Sequence, residues 1–124
     1  MSSPAPAPRV AILEDDPDLR LLLSLQLEDE LGIVPVAGAG SLEELYAVCE
    51  RDAPDVATVD LRLGDATGTD VVEGMHARFP AVTIVVYTGS DDSRIRARLA
   101  ELDVPVIRKG DLGALAGVIA GLDR

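Results

Sequence analysis

The chain has 124 residues and carries 22 acidic against 11 basic side chains, a formal charge of −11 at neutral pH. That length suits one domain, and 48% hydrophobic residues suffice for a core, which excludes wholesale disorder. The negative balance argues against nonspecific nucleic-acid binding and against anionic membranes, since both depend on clustered cations.

Residues Met1 to Pro8 combine Pro and Ala with neither a cationic start nor an apolar run, so they read as a disordered tail ahead of a domain over 9–124. The longest uncharged stretches, Leu31 to Leu42 and Phe79 to Ser90, fall short of the roughly 18 residues a membrane-spanning helix needs. A cytoplasmic protein is expected. The single cysteine, Cys49, excludes an internal disulfide and sits in a helical pattern as a small packing residue.

Short, almost wholly apolar runs occur at Val10 to Leu13, Ile33 to Ala37, Val56 to Val59, Val82 to Tyr87 and Val104 to Ile107. Runs of this kind suit strands buried on both faces of a parallel sheet. Helical patterns separate them. Leu19, Leu22, Leu23, Leu27 and Leu31 mark the stripe of the first helix. Ser41 with Glu44 makes a capping box for the second, whose stripe is Leu42, Leu45, Tyr46 and Cys49. A third helix is predicted over 69–78, ending before Pro80, and a fourth over 92–102. A fifth starts from Asp111 as N-cap and carries Leu112, Leu115, Ala116, Ile119 and Leu122. Five strands alternating with five helices predict a doubly wound α/β domain with a parallel sheet and right-handed crossovers.

Open α/β sheets bind ligands beyond the carboxyl ends of their strands. Here the first strand ends in Glu14, Asp15 and Asp16, the third at Asp60, the fourth at Thr88 and the fifth at Lys109. Carboxylates meeting there at about 4 Å repel by on the order of 4 kcal/mol per pair at an effective dielectric near 20. Lys109 is the only lysine, beside ten arginines. It does not balance Glu14, Asp15 and Asp60 alone, whereas Lys109 plus a divalent cation does, and oxygen-only ligands select Mg²⁺. Each residue alone has a plainer explanation, such as a solvated loop acid or a helix N-terminus favouring negative charge. The conjunction, one element per strand end and in order, is what carries weight.

The segments VAILEDDPDLR (10–20), PDVATVDLRLGDATGTDV (54–71), IVVYTG (84–89) and VIRKG (106–110) together resemble the response-regulator receiver domain of two-component signalling. The resemblance covers Arg9 to about Leu122. It implies a flavodoxin-like fold of five parallel strands in the order 2-1-3-4-5, with Asp60 as phosphoryl acceptor. It further implies Mg²⁺ held by Glu14, Asp15 and Asp60 with the Arg62 backbone carbonyl, Thr88 hydrogen-bonding the phosphoryl group, and Lys109 pairing with the phosphoaspartate. The implied partners are a sensor histidine kinase or histidine phosphotransfer protein and a downstream protein target, with a homodimer left open.

Two positions depart from the family pattern. Gly110 follows the lysine where the family usually has Pro, and Val106 stands where it usually has Tyr or Phe. Without an inward-moving ring at 106, either Thr88 and its loop signal alone or the neighbouring Tyr87 takes part of that role; a packing role for Tyr87 is the plainer reading. Arg62 and Ser90 occupy positions that influence phosphoryl lifetime in the family, and Gly64 should loosen the loop after Asp60. Leu21 and Leu25 lie off the main stripe of the first helix, either widening its buried face or offering a contact to a kinase or phosphotransfer bundle. Gly113, Gly117 and Gly121 read as a weak terminal helix, His76 as a surface residue, and Arg94, Arg96 and Arg98 as a solvated face.

Rival functions fit less well. A haloacid-dehalogenase-type hydrolase wants a second Asp two residues after the nucleophile, where Arg62 stands. A flavin module wants a Ser/Thr/Gly-rich phosphate loop after the first strand, where Glu14 to Asp18 would repel phosphate. The remaining alternative is a receiver-fold adaptor that works without phosphorylation. The expectation is therefore a stand-alone phosphoacceptor, not a turnover enzyme, that switches a protein-binding surface.

Overall fold

The computed structural model describes residues 8–33, 35–63, 66–89 and 93–121, of which 62, 63 and 66–68 by backbone only. In chain order these form β1 (Val10–Leu13), α1 (Pro17–Leu31), β2 (Ala37–Ala39), α2 (Leu42–Asp52), β3 (Val56–Val59), β4 (Arg62–Leu63) and β5 (Ala66–Thr67). There follow α3 (Gly68–Arg78), β6 (Thr83–Thr88), α4 (Ser93–Glu101), β7 (Val106–Arg108) and α5 (Leu112–Gly121). Five strands make one parallel sheet in the order β2-β1-β3-β6-β7, the predicted 2-1-3-4-5 arrangement. The two-residue strands β4 and β5 form a separate antiparallel hairpin that the periodicity did not announce.

Alternation along each strand divides the core in two. Ala11, Leu13, Ala57, Val59, Ile84 and Val86 meet α2, α3 and α4 through Leu45, Val48, Val71, Met75 and Leu99. Val10, Ile12, Val56, Val85 and Tyr87 meet α1 and α5 through Leu23, Leu27, Leu115 and Ile119. Each leucine, isoleucine, valine or methionine among them removed from water contributes about 1.5–3 kcal/mol. Cys49 is buried in the first layer, and burial raises its thiol pKa above the ordinary value, as suits a packing residue.

Local chemistry explains the element ends. The Asp16 carboxylate accepts from the N–H groups of Asp18 and Leu19, and Pro17 opens α1 where no N–H is needed. Gly32, at φ 64°, closes α1, and the N–H of Ile33 reaches back to Leu27. Ile33 is thus spent on the helix end, so the second strand begins at Ala37 and not at Ile33. The fifth strand likewise begins at Val106, because the Val104 N–H caps Leu99 of α4 and Pro105 has no N–H to give. The Ser41 half of the capping box forms, Ser41 accepting from Glu44 N–H, while the Glu44 carboxylate reaches one residue further back and accepts from Gly40 N–H. Asp111 caps α5 through the Ala114 N–H.

The α1 stripe needs correction. Leu23 and Leu27 are buried, but Leu19 and Leu22, placed on the same stripe, are 43% and 50% exposed. Leu21 and Leu25 are 60% and 54% exposed, which excludes a widened buried face. No helix among the described residues is long and apolar enough to cross a membrane. The tail of residues 1–7, Gly64, Ser90 and the Arg62 side chain lie outside the described set.

Candidate functional site at the carboxyl ends of the strands

Parallel pairing brings the strand ends to one edge. Glu14 N–H donates to the Ala39 carbonyl, Asp60 N–H to the Leu13 carbonyl at 3.2 Å, and Lys109 N–H to the Thr88 carbonyl at 2.8 Å. The residues just past β1, β3 and β7, with the last residue of β6, therefore form one cluster. Glu14, Asp60 and Thr88 are buried, and Lys109 is half-buried above them.

Both oxygens of Asp60 are engaged. The Thr88 hydroxyl donates to Oδ1 at 3.0 Å, and the Lys109 ammonium donates to Oδ2 at 2.8 Å. The same ammonium donates to Glu14 Oε1 at 2.6 Å, so one cation bridges two buried carboxylates. Charge-assisted bonds of this length are the strong ones. Burial pushes the Lys109 pKa down, but its bonds to Asp60 and Glu14, and their charges, outweigh that and hold it above 10.5. Burial pushes the Glu14 carboxyl above 4.5, and repulsion from Asp60 adds to this, even though Lys109 opposes both. Two buried carboxylates thus share one ammonium.

Asp15 lies on the solvent side of this cluster, with its carboxyl beside that of Glu14. Arg62 begins β4 two residues after Asp60. Among the described residues, no group of three His, Cys, Asp or Glu side chains is arranged to hold a metal by itself. Val106 packs half-buried against the α2, α3 and α4 layer.

Three features were not foreseen. The Arg20 guanidinium donates to the Glu14 carbonyl at 2.8 Å. Its stem crosses Gly38, where an added Cβ would come within 2.7 Å of Arg20 Cδ; the glycines at 38 and 40 were the available signal. Gly110 N–H donates to the Tyr87 hydroxyl at 2.8 Å. Finally, a cleft of about 170 Å³ runs from Asp60, Glu14 and Lys109 along α1, walled by Leu19, Leu22, Leu23 and Tyr87. The Thr58 hydroxyl, which also lines it, is buried and has no hydrogen-bond partner among the described residues.

The family described as "Response regulator receiver domain" matches residues 10–107, and the chain belongs to it. The response regulator protein PilR of Pseudomonas aeruginosa is 29% identical over 114 residues, covering 90% of this chain and 25% of PilR. The photosynthetic apparatus regulatory protein RegA of Cereibacter sphaeroides is 39% identical over 83 residues, covering 67% of this chain and 45% of RegA. The chain thus spans less than half the length of either relative. RcsB of Salmonella enterica serovar Typhimurium, solved bound to promoter rprA in the presence of phosphomimetic BeF3−, superimposes with a TM-score of 0.85. That likeness, at 21% identity over 94% of this chain and 99% of the chain in that structure, shows the fold.

Proposed function

We propose that this receiver domain is a phosphoacceptor in which Asp60 takes a phosphoryl group from a phosphohistidine on a sensor histidine kinase or histidine phosphotransfer protein. The observation that carries this reading is a buried aspartate whose two oxygens are held by one hydroxyl and one ammonium, Thr88 and Lys109. Phosphoryl transfer needs positioning and neutralisation of charge on the equatorial oxygens more than it needs acid–base chemistry. An Asp60 oxygen attacks phosphorus as the phosphorus–nitrogen bond to the donor imidazole breaks, and the bonding pair leaves with the imidazole nitrogen. Lys109 stays to neutralise the phosphoryl oxygens, and the Thr88 hydroxyl turns from the carboxylate to one of them. Thr88 is small and buried, so its movement drags the end of β6, and the changed surface is the output.

The residues also fit Mg²⁺. All donors are oxygens, and the single Lys109 ammonium is shared between the two buried carboxylates of Glu14 and Asp60. Glu14, Asp15 and Asp60, with the Arg62 backbone carbonyl, would hold the ion. Mg²⁺ takes one or two carboxylates and keeps several waters, so a cage of three side chains is not required. When bound it supplies charge neutralisation to the transferred group.

The exposed leucines of α1 supply a dock for the donor. Leu19 and Leu22 expose apolar surface at the cleft that leads to Asp60, Leu21 and Leu25 expose more on the same helix, and exposed apolar surface of this kind marks an interaction site. We read the chain as a cytoplasmic signalling module without turnover of its own. A protein-glutamate methylesterase/protein-glutamine glutaminase of Rhizobium etli is a relative at 30% identity, but the match spans only 29% of that enzyme.

Incubation with phosphoramidate and Mg²⁺, followed by intact mass measurement, tests the acceptor. The wild-type chain is expected to gain one phosphoryl group, Asp60→Asn to gain none, and chelation of Mg²⁺ to lower the wild-type rate by about 10²-fold. Incorporation that persists in Asp60→Asn would move the acceptor elsewhere. A wild-type chain that gains nothing would leave the phosphorylation-independent adaptor as the better reading.

A further inference from the structure

We propose that Tyr87 is a positioning residue for Lys109: its hydroxyl, by accepting the Gly110 N–H, ties the loop between β7 and α5 to β6 and so holds the lysine ammonium over Asp60 and Glu14. The loop hangs from two consecutive residues of β6. The Thr88 carbonyl takes the Lys109 N–H at 2.8 Å, and the Tyr87 hydroxyl takes the Gly110 N–H at 2.8 Å. Beyond Gly110 the chain turns into α5, with Asp111 N–H bonded to the Arg108 carbonyl. Lys109 therefore sits between two anchored peptide groups.

The residue types permit this tether. A proline at 110 would have no N–H to donate and could not adopt the φ of +95° that Gly110 shows. Gly110 adopts it at no steric cost, but an untied glycine would leave Lys109 on a loose hinge. The tyrosine hydroxyl removes that freedom. Tyr87 is itself rigid, because its ring is buried against the α1 and α5 layer. The ring also walls the cleft beside Leu22 and Leu23. One side chain thus spans from the α1 docking surface to the backbone that carries the lysine.

The catalytic side of this inference rests on the phosphoacceptor reading; the geometric side does not. Tyr87→Phe keeps the ring and deletes only the hydroxyl. Lys109 is the only lysine in the chain, so protein made with ε-¹³C-lysine gives a single side-chain resonance that reports the ammonium directly. In Tyr87→Phe that resonance should move toward the position of a free lysine, and the Gly110 amide should exchange with solvent roughly tenfold faster. Phosphorylation by phosphoramidate at saturating Mg²⁺ should slow about three- to tenfold, the worth of one hydrogen bond. Mg²⁺ affinity, read from amide shifts, should hold or rise, because a loosened Lys109 competes less for Glu14 and Asp60.

An unmoved lysine resonance in Tyr87→Phe overturns the proposal, as does Gly110 exchange at the wild-type rate. A phosphorylation rate equal to wild type despite a moved resonance overturns its catalytic side. An equal loss of Mg²⁺ affinity and phosphorylation would show general damage to the pocket and also count against it. If the wild-type chain takes no phosphoryl group while the lysine resonance still responds to Tyr87→Phe, the phosphoacceptor reading fails and the tether stands.

Discussion

The two faces of the sheet are covered by helices that treat their leucines differently. Under α2, α3 and α4, the side chains of Leu45, Met75 and Leu99 are fully buried. The outer seam of that face is sealed by Tyr46 and Phe79, whose ring centroids lie 5.8 Å apart, and by the Arg78 guanidinium 4.3 Å above the Tyr46 ring. The Arg78 group also pairs with Glu50 at 3.0 Å. Under α1 and α5 the layer stays open. Four leucines of α1 face solvent, a cleft enters beside two of them, and the Thr58 hydroxyl lies buried without a partner among the described residues. Apolar side chains left about half exposed contribute less to folding than fully buried ones. The open face is also the one next to Asp60 and Lys109. Leu27, Leu115 and Ile119 are fully buried on this face too, so what sets it apart is the exposed apolar surface it keeps beside the chemistry.

The comparison is sharpest in truncations. Leu45→Ala, on the closed face, should cost about 2–5 kcal/mol of stability, because a fully buried leucine leaves a cavity. Leu22→Ala, on the open face, should stay within about 0.5 kcal/mol, as for ordinary surface positions. Urea unfolding of the two variants measures both, and equal losses would end the distinction between the faces.

Function should respond in the opposite order. Leu21→Ser with Leu25→Ser is expected to slow phosphoryl transfer from a histidine kinase by about tenfold, on the scale of a lost interface contact of roughly 1.4 kcal/mol. The rate with phosphoramidate, which needs no docking surface, should be unchanged. A parallel loss with both donors would mean that α1 supports the acceptor pocket and not the partner.

Legibility from sequence divides along the same line. Strands β1, β3 and β6 were visible because strands buried on both faces read as continuous apolar runs, and their carboxyl ends pointed to Glu14, Asp60 and Thr88. The second and fifth strands were displaced because Ile33 and Val104 serve helix ends, a use that looks the same in sequence as strand pairing. Helix α1 was misread for a different reason. With leucine at 19, 21, 22, 23, 25 and 27 it has no polar contrast, so periodicity could not say which leucines turn inward. Within the site, the residues named by charge logic came together. The Arg20 contact and the Tyr87 tether leave no mark in the sequence because they depend on backbone groups, a carbonyl in one case and an N–H in the other.

The smallest effect expected concerns Glu14, where the open face meets the acceptor. Burial and the neighbouring Asp60 hold its carboxyl above 4.5, so the folded state binds that proton more tightly than the unfolded state does. Its contribution to stability is fully present below the unfolded value and is lost as pH rises through the folded one. Ionised Glu14 therefore opposes folding at neutral pH when no cation is bound. Glu14→Gln should raise the unfolding midpoint at neutral pH in metal-free buffer, and the gain should fade as the pH is lowered toward 4.5. Added Mg²⁺ should invert the order, stabilising the wild type by mass action more than the variant that has lost a ligand. Thermal scans across pH, with and without Mg²⁺, check both signs. A variant less stable than wild type in metal-free neutral buffer would show that the Lys109 bond to Glu14 outweighs the repulsion, and the acidic pocket would then need no further cation.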